Sequence, residues 1–129
     1  MRSAARGAVD LVDAVREAKR IAIRAGTRPH RFIPIWAVVV ERRIFVRSWS
    51  LKPRSWYRTL LEQPRGTIRV GDRSARVRAV HTRSARLVAA VDRAYLAKYG
   101  GRGEIRFARD MARGKSRAST TELVPEDSS

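Results

Sequence analysis

The longest apolar stretch of the chain, residues 30–40, predicts a strand that is buried on both faces. Alternate side chains of a strand point to opposite faces. Both sets are apolar here, with Phe32, Pro34, Trp36, Val38 and Val40 on one face and Ile33, Ile35, Ala37 and Val39 on the other. We therefore expect residues 35–40 to be a central strand, with Trp36 and Val38 mostly buried. Since Pro34 cannot donate to a ladder, a bulge or local edge is expected there, and such breaks often lie beside a ligand.

The rest of the chain predicts short strands joined by tight turns. Residues 44–49 return antiparallel after the charged triplet Glu41-Arg42-Arg43 and complete a hairpin. A second hairpin joins strands 67–70 and 74–82 through Gly71-Asp72, with Gly66 as the turn before it. Further strands are expected at 21–23 and 119–124, and a short helical turn at 105–113.

Helical spacing is found in two longer segments, residues 8–19 and 84–99, each with an apolar stripe on one side. Ser84 is a favourable N-cap for the second of them. A short helix from about residue 55 must end near Pro64, because the residue before a proline avoids the helical conformation. The stripe of the 84–99 helix is Leu87, Val88, Val91, Ala94, Tyr95 and Lys98.

The order of these elements predicts a mainly β domain with flanking helices (α+β). Mostly antiparallel strands with few helices favour a small closed barrel, because closure removes the exposed edges of a sheet. We expect one domain over residues 1–129, with 1–7 and 125–129 frayed. The second apolar face of the central strand also predicts a homodimer with a two-fold interface.

Composition excludes several classes of protein. Hydrophobic residues make up 43% of the chain, which is enough for a packed core. The absence of cysteine excludes disulfides, thiolate catalysis and cysteine-ligated metals. No apolar run is long enough to cross a bilayer, and the arginine-containing N-terminus does not resemble a signal peptide. A cytoplasmic protein is expected.

The net charge of +17 belongs mainly to the part of the chain that is predicted to fold. Residues 1–100 hold 23 basic and 7 acidic side chains, a balance of +16, whereas residues 101–129 contribute only +1. Two interpretations stay open. A basic surface attracts nucleic acid or phosphorylated ligands. Alternatively, a coding bias places arginine wherever a cation is tolerated, and 25 of the 29 basic residues are arginine.

Familiar catalytic and metal-binding arrangements are missing from the sequence. His30 and His81 are the only histidines, and neither lies in a nucleophile or zinc motif. Each is therefore interpreted as a structural or surface residue. The chain also has no glycine-rich dinucleotide or P-loop motif.

Aromatic and basic residues are instead concentrated between positions 36 and 58. An indole offers a face for stacking a planar ring, and neighbouring cations can hold a phosphate group. An exposed Arg47 and Ser48 at a strand end, followed by a basic loop and a helix start, would form such a phosphate site. For any one tryptophan, a place in the core is the simpler interpretation. The grouped residues are Trp36, Trp49, Trp56, Tyr57, Arg47, Lys52, Arg54 and Arg58.

Several motifs follow one another in a specific order. They are Pro-Ile-Trp at 34–36, Val-Arg-Ser at 46–48, Lys-Pro-x-x-Trp-Tyr-x-x-Leu at 52–60, Gln-Pro at 63–64 and Val-Gly at 70–71. Over roughly residues 8–125 this pattern resembles the flavin-binding split barrels, the pyridoxamine-phosphate-oxidase-like superfamily. The Pro-x-x-Trp-Tyr segment looks most like the deazaflavin-dependent nitroreductase branch. Lys-Tyr-Gly at 98–100 also looks like a related family of uncharacterised small proteins.

The resemblance implies a six-stranded antiparallel split β-barrel, usually a homodimer, with FMN or a deazaflavin in a groove between subunits. It implies an oxidoreductase, nitroreductase-like, that transfers a hydride to or from a small organic substrate. Residues implied to hold the cofactor phosphate are Arg47, Ser48, Lys52 and Arg54. Residues implied to flank the ring system are His30, Pro34, Trp36, Trp56 and Arg58.

Two departures from the family pattern leave other functions open. The usual Asp-Gly hairpin turn is replaced by residues 41–43, and the glycine-rich approach to the phosphate loop is reduced to residues 50–52. One alternative is a non-catalytic flavin-binding protein. The other is a nucleic-acid-binding module that uses the arginines of the second hairpin, namely Arg69, Arg73, Arg76 and Arg78.

Overall fold

The structure, a computed structural model, describes residues 11–26, 31–48, 56–99, 101, 109 and 114–126. Its strands are β1 (Ile21–Ala25), β2 (Ile33–Ile35), β3 (Ala37–Val40), β4 (Arg43–Val46), β5 (Arg65–Val70), β6 (Arg73–His81) and β7 (Thr121–Pro125). Its helices are α1 (11–17), α2 (Trp56–Glu62), α3 (Ala85–Tyr99) and α4 (Gly114–Ala118). The described chain is therefore mainly β with flanking helices, as predicted.

The strands form an antiparallel sheet that curves into a nearly closed barrel, because both ends of the sheet come from one stretch of chain. The strand order is β2-β1-β5-β6-β7-β4-β3. Only Trp36 separates β2 from β3. β2 pairs with β1, whereas β3 pairs with β4. Residues 33–40 thus supply the two terminal strands of the sheet and bring them together.

Three expectations about residues 33–40 are corrected by this arrangement. The described residues form seven strands instead of the expected six, because the single predicted strand divides at Trp36. Residues 35–40 are not a central strand, since β2 and β3 lie at the two ends of the sheet. The break also lies at Trp36 rather than at Pro34, which pairs with Ala22 of β1.

The barrel interior holds the larger apolar core, to which α1 and α2 also contribute. Gly66 belongs to this layer as part of β5, not to the turn predicted there. A Cβ at Gly66 would come within 2.8 Å of the backbone oxygen of Arg24, so the close approach of β1 requires glycine. The buried members are Leu11, Val12, Val15, Ile21, Ile23, Ala25, Ile35, Ala37, Ile44, Val46, Leu60, Ile68, Val70, Val77 and Leu123.

A second apolar cluster lies outside the barrel, where α3 covers β3 and β4. Its buried members are Val38, Phe45, Leu87, Val91, Tyr95 and Tyr99. The burial of Val38 and the outer position of α3 are confirmed, whereas Trp36 is only half-buried. The chain itself therefore covers both faces of β3, whereas Ile33 and Pro34 of β2 are exposed. β3 gives no argument for a partner subunit, and the homodimer stays a prediction.

The β3–β4 hairpin turns through Glu41 and Arg42, while Arg43 already belongs to β4. Both turn residues have positive φ, 54° and 61°. A two-residue hairpin turn requires this backbone, which Asn or Gly usually supplies. The carboxylate of Glu41 pairs with Arg86 in the first turn of α3. The turn is thereby fastened to the helix that covers its hairpin.

Most other predicted boundaries agree with the structure to within two residues. The amide of Leu87 donates to Ser84 Oγ at 3.3 Å, which confirms Ser84 as the N-cap of α3. The last strand begins at Thr121, two residues later than predicted, and Ser119 and Thr120 separate it from the short helix α4. The helical turn predicted at 105–113 lies almost entirely outside the described residues. Among the helices that the structure describes, none has the length and apolar character needed to cross a membrane.

Candidate functional site

The break at Trp36 is held open by the buried phenol of Tyr95 on α3. Ala37 pairs with Val46, so Trp36 and Arg47 are the next opposed residues of the hairpin. The Tyr95 hydroxyl accepts a hydrogen bond from the Arg47 amide at 3.0 Å and donates one to the Trp36 carbonyl at 2.8 Å. It takes the place of a backbone bond, and the strands part there. Burial raises the pKa of Tyr95, which keeps the hydroxyl a donor.

Lys98 and Tyr99, which are adjacent on α3, hydrogen-bond to backbone oxygens next to the break. The ammonium of Lys98 donates to the backbone oxygens of Ala37 at 2.7 Å and Val15 at 2.8 Å. The hydroxyl of Tyr99 donates to the backbone oxygen of Lys19 at 2.7 Å and also lies 3.2 Å from that of Ala37. The end of α3 therefore connects α1, the segment between α1 and β1, and the start of β3.

Lys98 is expected to make the free energy of unfolding vary with pH in the alkaline range. Burial lowers the pKa of Lys98 from 10.5 to about 8. Between these values the unfolded chain holds a proton that the folded chain has released, so the contribution of Lys98 to stability rises with pH. Denaturant unfolding of the wild type and of Lys98→Met should show this. The free energy of unfolding of the wild type should rise relative to that of the variant between pH 8 and 10.5. A difference that is flat or falls with pH would contradict the prediction.

Arg47, which the sequence predicts to be exposed, is one of the most buried residues, with 1% of its surface exposed. Its Nη1 lies 2.6 Å from Asp92 Oδ1, an ion pair that lacks the angles of a hydrogen bond. Nε donates to Thr120 Oγ1 at 2.8 Å, and Nη2 donates to the backbone oxygen of Val88 at 3.0 Å. Burial lowers the pKa of Arg47, and Asp92 opposes that shift. The expectation of an exposed Arg47 is therefore wrong.

Ser48 is buried beside Arg47, at the junction between β4 and the residues that precede β7. Its amide donates to Ser119 Oγ at 2.8 Å, and that hydroxyl donates to the backbone oxygen of Ser116 at 2.6 Å. Arg117 Nε also donates to Asp92 Oδ2 at 2.9 Å. Arg47 and Ser48 thus organise a polar junction between β4, α3 and α4.

Trp36 presents a fixed aromatic surface at the break. Its ring is stacked on that of Tyr99, with 4.1 Å between centroids and 2° between planes. The Trp36 carbonyl is bonded to Tyr95, so both its backbone and its ring are held by α3. Pro34, two residues earlier on β2, is exposed. The break therefore combines a half-buried indole with an exposed proline.

The remaining predicted site residues that the structure describes, Trp56 and Arg58, lie on α2. Trp56 packs against the barrel core, edge-on to Tyr57, and Arg58 is exposed on α2. His30, Trp49, Lys52 and Arg54 lie outside the described residues. Within the described ranges, no three potential metal ligands form a cluster.

Sequence comparison assigns the chain to a family. The family whose description reads "Uncharacterized protein conserved in bacteria (DUF2255)" matches residues 9–123. The chain belongs to the DUF2255 family. A search of the curated proteins found no match.

Solved structures show what fold this DUF2255 member shares. Seven chains match it. One is the crystal structure of conserved hypothetical protein Rv2991 from Mycobacterium tuberculosis, with 15% sequence identity and a TM-score of 0.58. The alignment covers 88% of this chain and 76% of that chain. At this identity the likeness shows the split-barrel fold alone.

The polar residues of α3 that organise the DUF2255 barrel are missed by reasoning from the sequence. Tyr95 and Lys98 are placed in its apolar stripe, and Asp92 has no predicted role. A signal was available, because Asp92, Tyr95 and Tyr99 recur at three- and four-residue spacing and so lie on one helix face. A face that alternates aromatic rings with polar ends predicts hydrogen bonds at its margin.

Proposed function

We propose that this protein binds FMN or a deazaflavin beside the break at Trp36 and acts as a nitroreductase-like oxidoreductase on a small organic substrate. The observation that carries the proposal is the half-buried Trp36 ring stacked on Tyr99 where the barrel strands part. A flavin ring system is planar and largely apolar, and pockets for such ligands combine aromatic walls with a few polar groups. The split-barrel fold supports the proposal by analogy only.

The described residues fit the ring of such a cofactor better than its phosphate. Tyr99 and Tyr95 fix the ring and backbone of Trp36, so the indole needs little ordering to receive a planar ligand. Arg47 does not fit the phosphate role, because its guanidinium is engaged by Asp92, Thr120 and the Val88 carbonyl. Recruiting it would break a buried ion pair, which is costly.

The phosphate is therefore assigned to Lys52 and Arg54, which follow the polar junction at the end of β4. A phosphate dianion is best held by several charge-assisted donors. When bound, the cofactor supplies hydride chemistry that needs no acid or base residue of the protein. The role left to this chain is to hold the ring against Trp36 and the phosphate through Lys52 and Arg54. A homodimer with a shared groove belongs to the same proposal.

The test is a fluorescence titration of the purified protein with FMN and with the deazaflavin cofactor. Lys52→Ala and Arg54→Ala should each weaken binding at least about tenfold, because one charge-assisted contact is worth roughly 1.5–3 kcal/mol. Arg76→Ala, which removes an exposed cation from β6, is the matched control and should leave the affinity nearly unchanged.

Three results would revise this proposal. Absence of binding at tens of micromolar, where ~10 μM corresponds to roughly 7 kcal/mol of binding free energy, would exclude a cofactor role. Equal effects of all three variants would show non-specific attraction rather than a phosphate site. Binding without reduction of any nitroaromatic or quinone acceptor would leave a non-catalytic flavin-binding protein.

A further inference from the structure

The outer face of three neighbouring strands, β1, β5 and β6, carries a continuous group of arginines. Inward residues of these strands fill the barrel core, so the alternate residues point outward. The outward residues that define this basic face are Arg24, Arg65, Arg69, Arg76 and Arg78, together with Phe32 just before β2.

The pairing of the strands places these cations close together. Arg65 lies directly opposite Arg78, and Thr67 lies opposite both Arg76 and Arg24 on its two sides. With strands about 4.8 Å apart, Arg24 and Arg76 are roughly 10 Å from each other. Like charges directly opposite one another on a sheet are destabilising. A bound polyanion would relieve that repulsion.

Acidic residues do little to neutralise the basic face. Glu126 lies 3.7 Å from Arg65, a loose pair between partly exposed side chains. Other described ion pairs lie elsewhere, where Asp92 meets Arg47 and Glu122 meets Arg43. In the described chain, no ion pair reaches Arg69, Arg76 or Arg78.

Phe32 gives the basic face an aromatic member. The guanidinium carbons of Arg24 and Arg69 lie 4.8 Å and 4.2 Å from the centre of its half-buried ring. Proteins that bind single-stranded nucleic acid combine a cationic surface along the phosphates with aromatic and arginine side chains on which bases stack. Duplex readers instead insert a helix or a narrow ribbon into a groove. A broad sheet face of this composition suits single strands better.

We propose that the basic face binds single-stranded nucleic acid, separately from the cofactor site at the break. The interaction is mainly with phosphates and is independent of sequence, with Phe32 as a stacking position. Arg73, which the sequence grouped with these residues, lies at the hairpin end opposite Val70, an inward residue, and is not part of the face.

The test is fluorescence anisotropy with a labelled oligothymidylate of about 20 nucleotides, longer than the roughly 4–16 that one small barrel covers. The variant Arg76→Gln/Arg78→Gln should weaken binding at least about tenfold. It should also flatten the slope of log K against log salt by about 1.4, because each phosphate that is no longer neutralised lowers the slope by ~0.7. The control Arg42→Gln/Arg93→Gln removes the same charge from exposed positions in the β3–β4 turn and on α3, and should change the slope little.

Further measurements separate this proposal from its competitors. The melting temperature of Arg76→Gln/Arg78→Gln should not fall, because it removes the cation opposite Arg65. Phe32→Leu should weaken oligonucleotide binding about five-fold or more, because it removes the ring that holds the guanidiniums of Arg24 and Arg69 together as a stacking surface. Equal weakening in the test and control variants would overturn the proposal. Tighter binding of duplex DNA, or binding of anionic vesicles without binding of the oligonucleotide, would overturn it as well.

Discussion

Val38→Asp is expected to cost several kcal/mol of stability, the largest effect of any substitution proposed for this protein. Val38 is 1% exposed and lies between β3 and α3 among Phe45, Leu87 and Val91. A carboxylate there would be desolvated among apolar side chains, which is among the most damaging changes a core can suffer. Chemical denaturation followed by circular dichroism measures the loss, which is large beside the roughly 5–15 kcal/mol by which a typical domain is stable.

Leu61→Asp is the matched control. It introduces the same side chain at a position of α2 that is 53% exposed. Its free energy of unfolding should stay within about 0.5 kcal/mol of wild type, as for most surface substitutions. Equal stabilities for the two variants would show that α3 does not cover β3.

Asp92→Ala is the second substitution with a large expected effect, at about 3 kcal/mol. It removes the carboxylate that lies beside Arg47, whose side chain has no exposed surface, and leaves the contacts of Arg47 with the Thr120 hydroxyl and the Val88 carbonyl in place. Breaking a buried ion pair typically costs about 3–5 kcal/mol. The lower end applies because Asp92 keeps 22% exposure, so water can reach the gap. The measurement is the free energy of unfolding in urea.

Two controls isolate the contribution of the buried charge. Asp13→Ala breaks an ion pair with Arg16 whose side chains are 58% and 53% exposed, and it should cost no more than about 0.5 kcal/mol. The double variant Arg47→Met/Asp92→Leu removes both charges and should recover most of the stability, because apolar replacements of a buried pair are often neutral. A double variant as unstable as Asp92→Ala would attribute the destabilisation to packing.

Local sequence determined most of the strands and helices. Alternating burial along β1 and β5 follows from period-two spacing, and Ser84 begins α3 because its hydroxyl caps the helix. The predicted burial on both faces holds for β3, whereas Ile33 and Pro34 of β2 are exposed. The strands that pair with residues 33–40 are wrongly predicted. The same apolar pattern fits a continuous central strand and also a strand that breaks in two and closes a barrel.

The candidate site was less predictable, since its residues act through partners distant in sequence. From Ser48 and the predicted basic loop alone, Arg47 is expected to be an exposed phosphate ligand. Its burial depends on Asp92 and Thr120, which lie 45 and 73 positions away. Trp36 is identified as an aromatic candidate from the sequence, but its stacking on Tyr99 cannot be inferred from either residue alone.

The sequence by itself determined the spacing of apolar residues, the caps and the excess of arginine, because these depend on each residue and its near neighbours. Only the tertiary structure decided which arginines carry their charge at the surface. Arg47 is neutralised inside by Asp92, whereas Arg76 and Arg78 stand on an outer sheet face. The reason is that burial and pairing of a charge depend on which distant segments the barrel brings together, and no local pattern encodes that register.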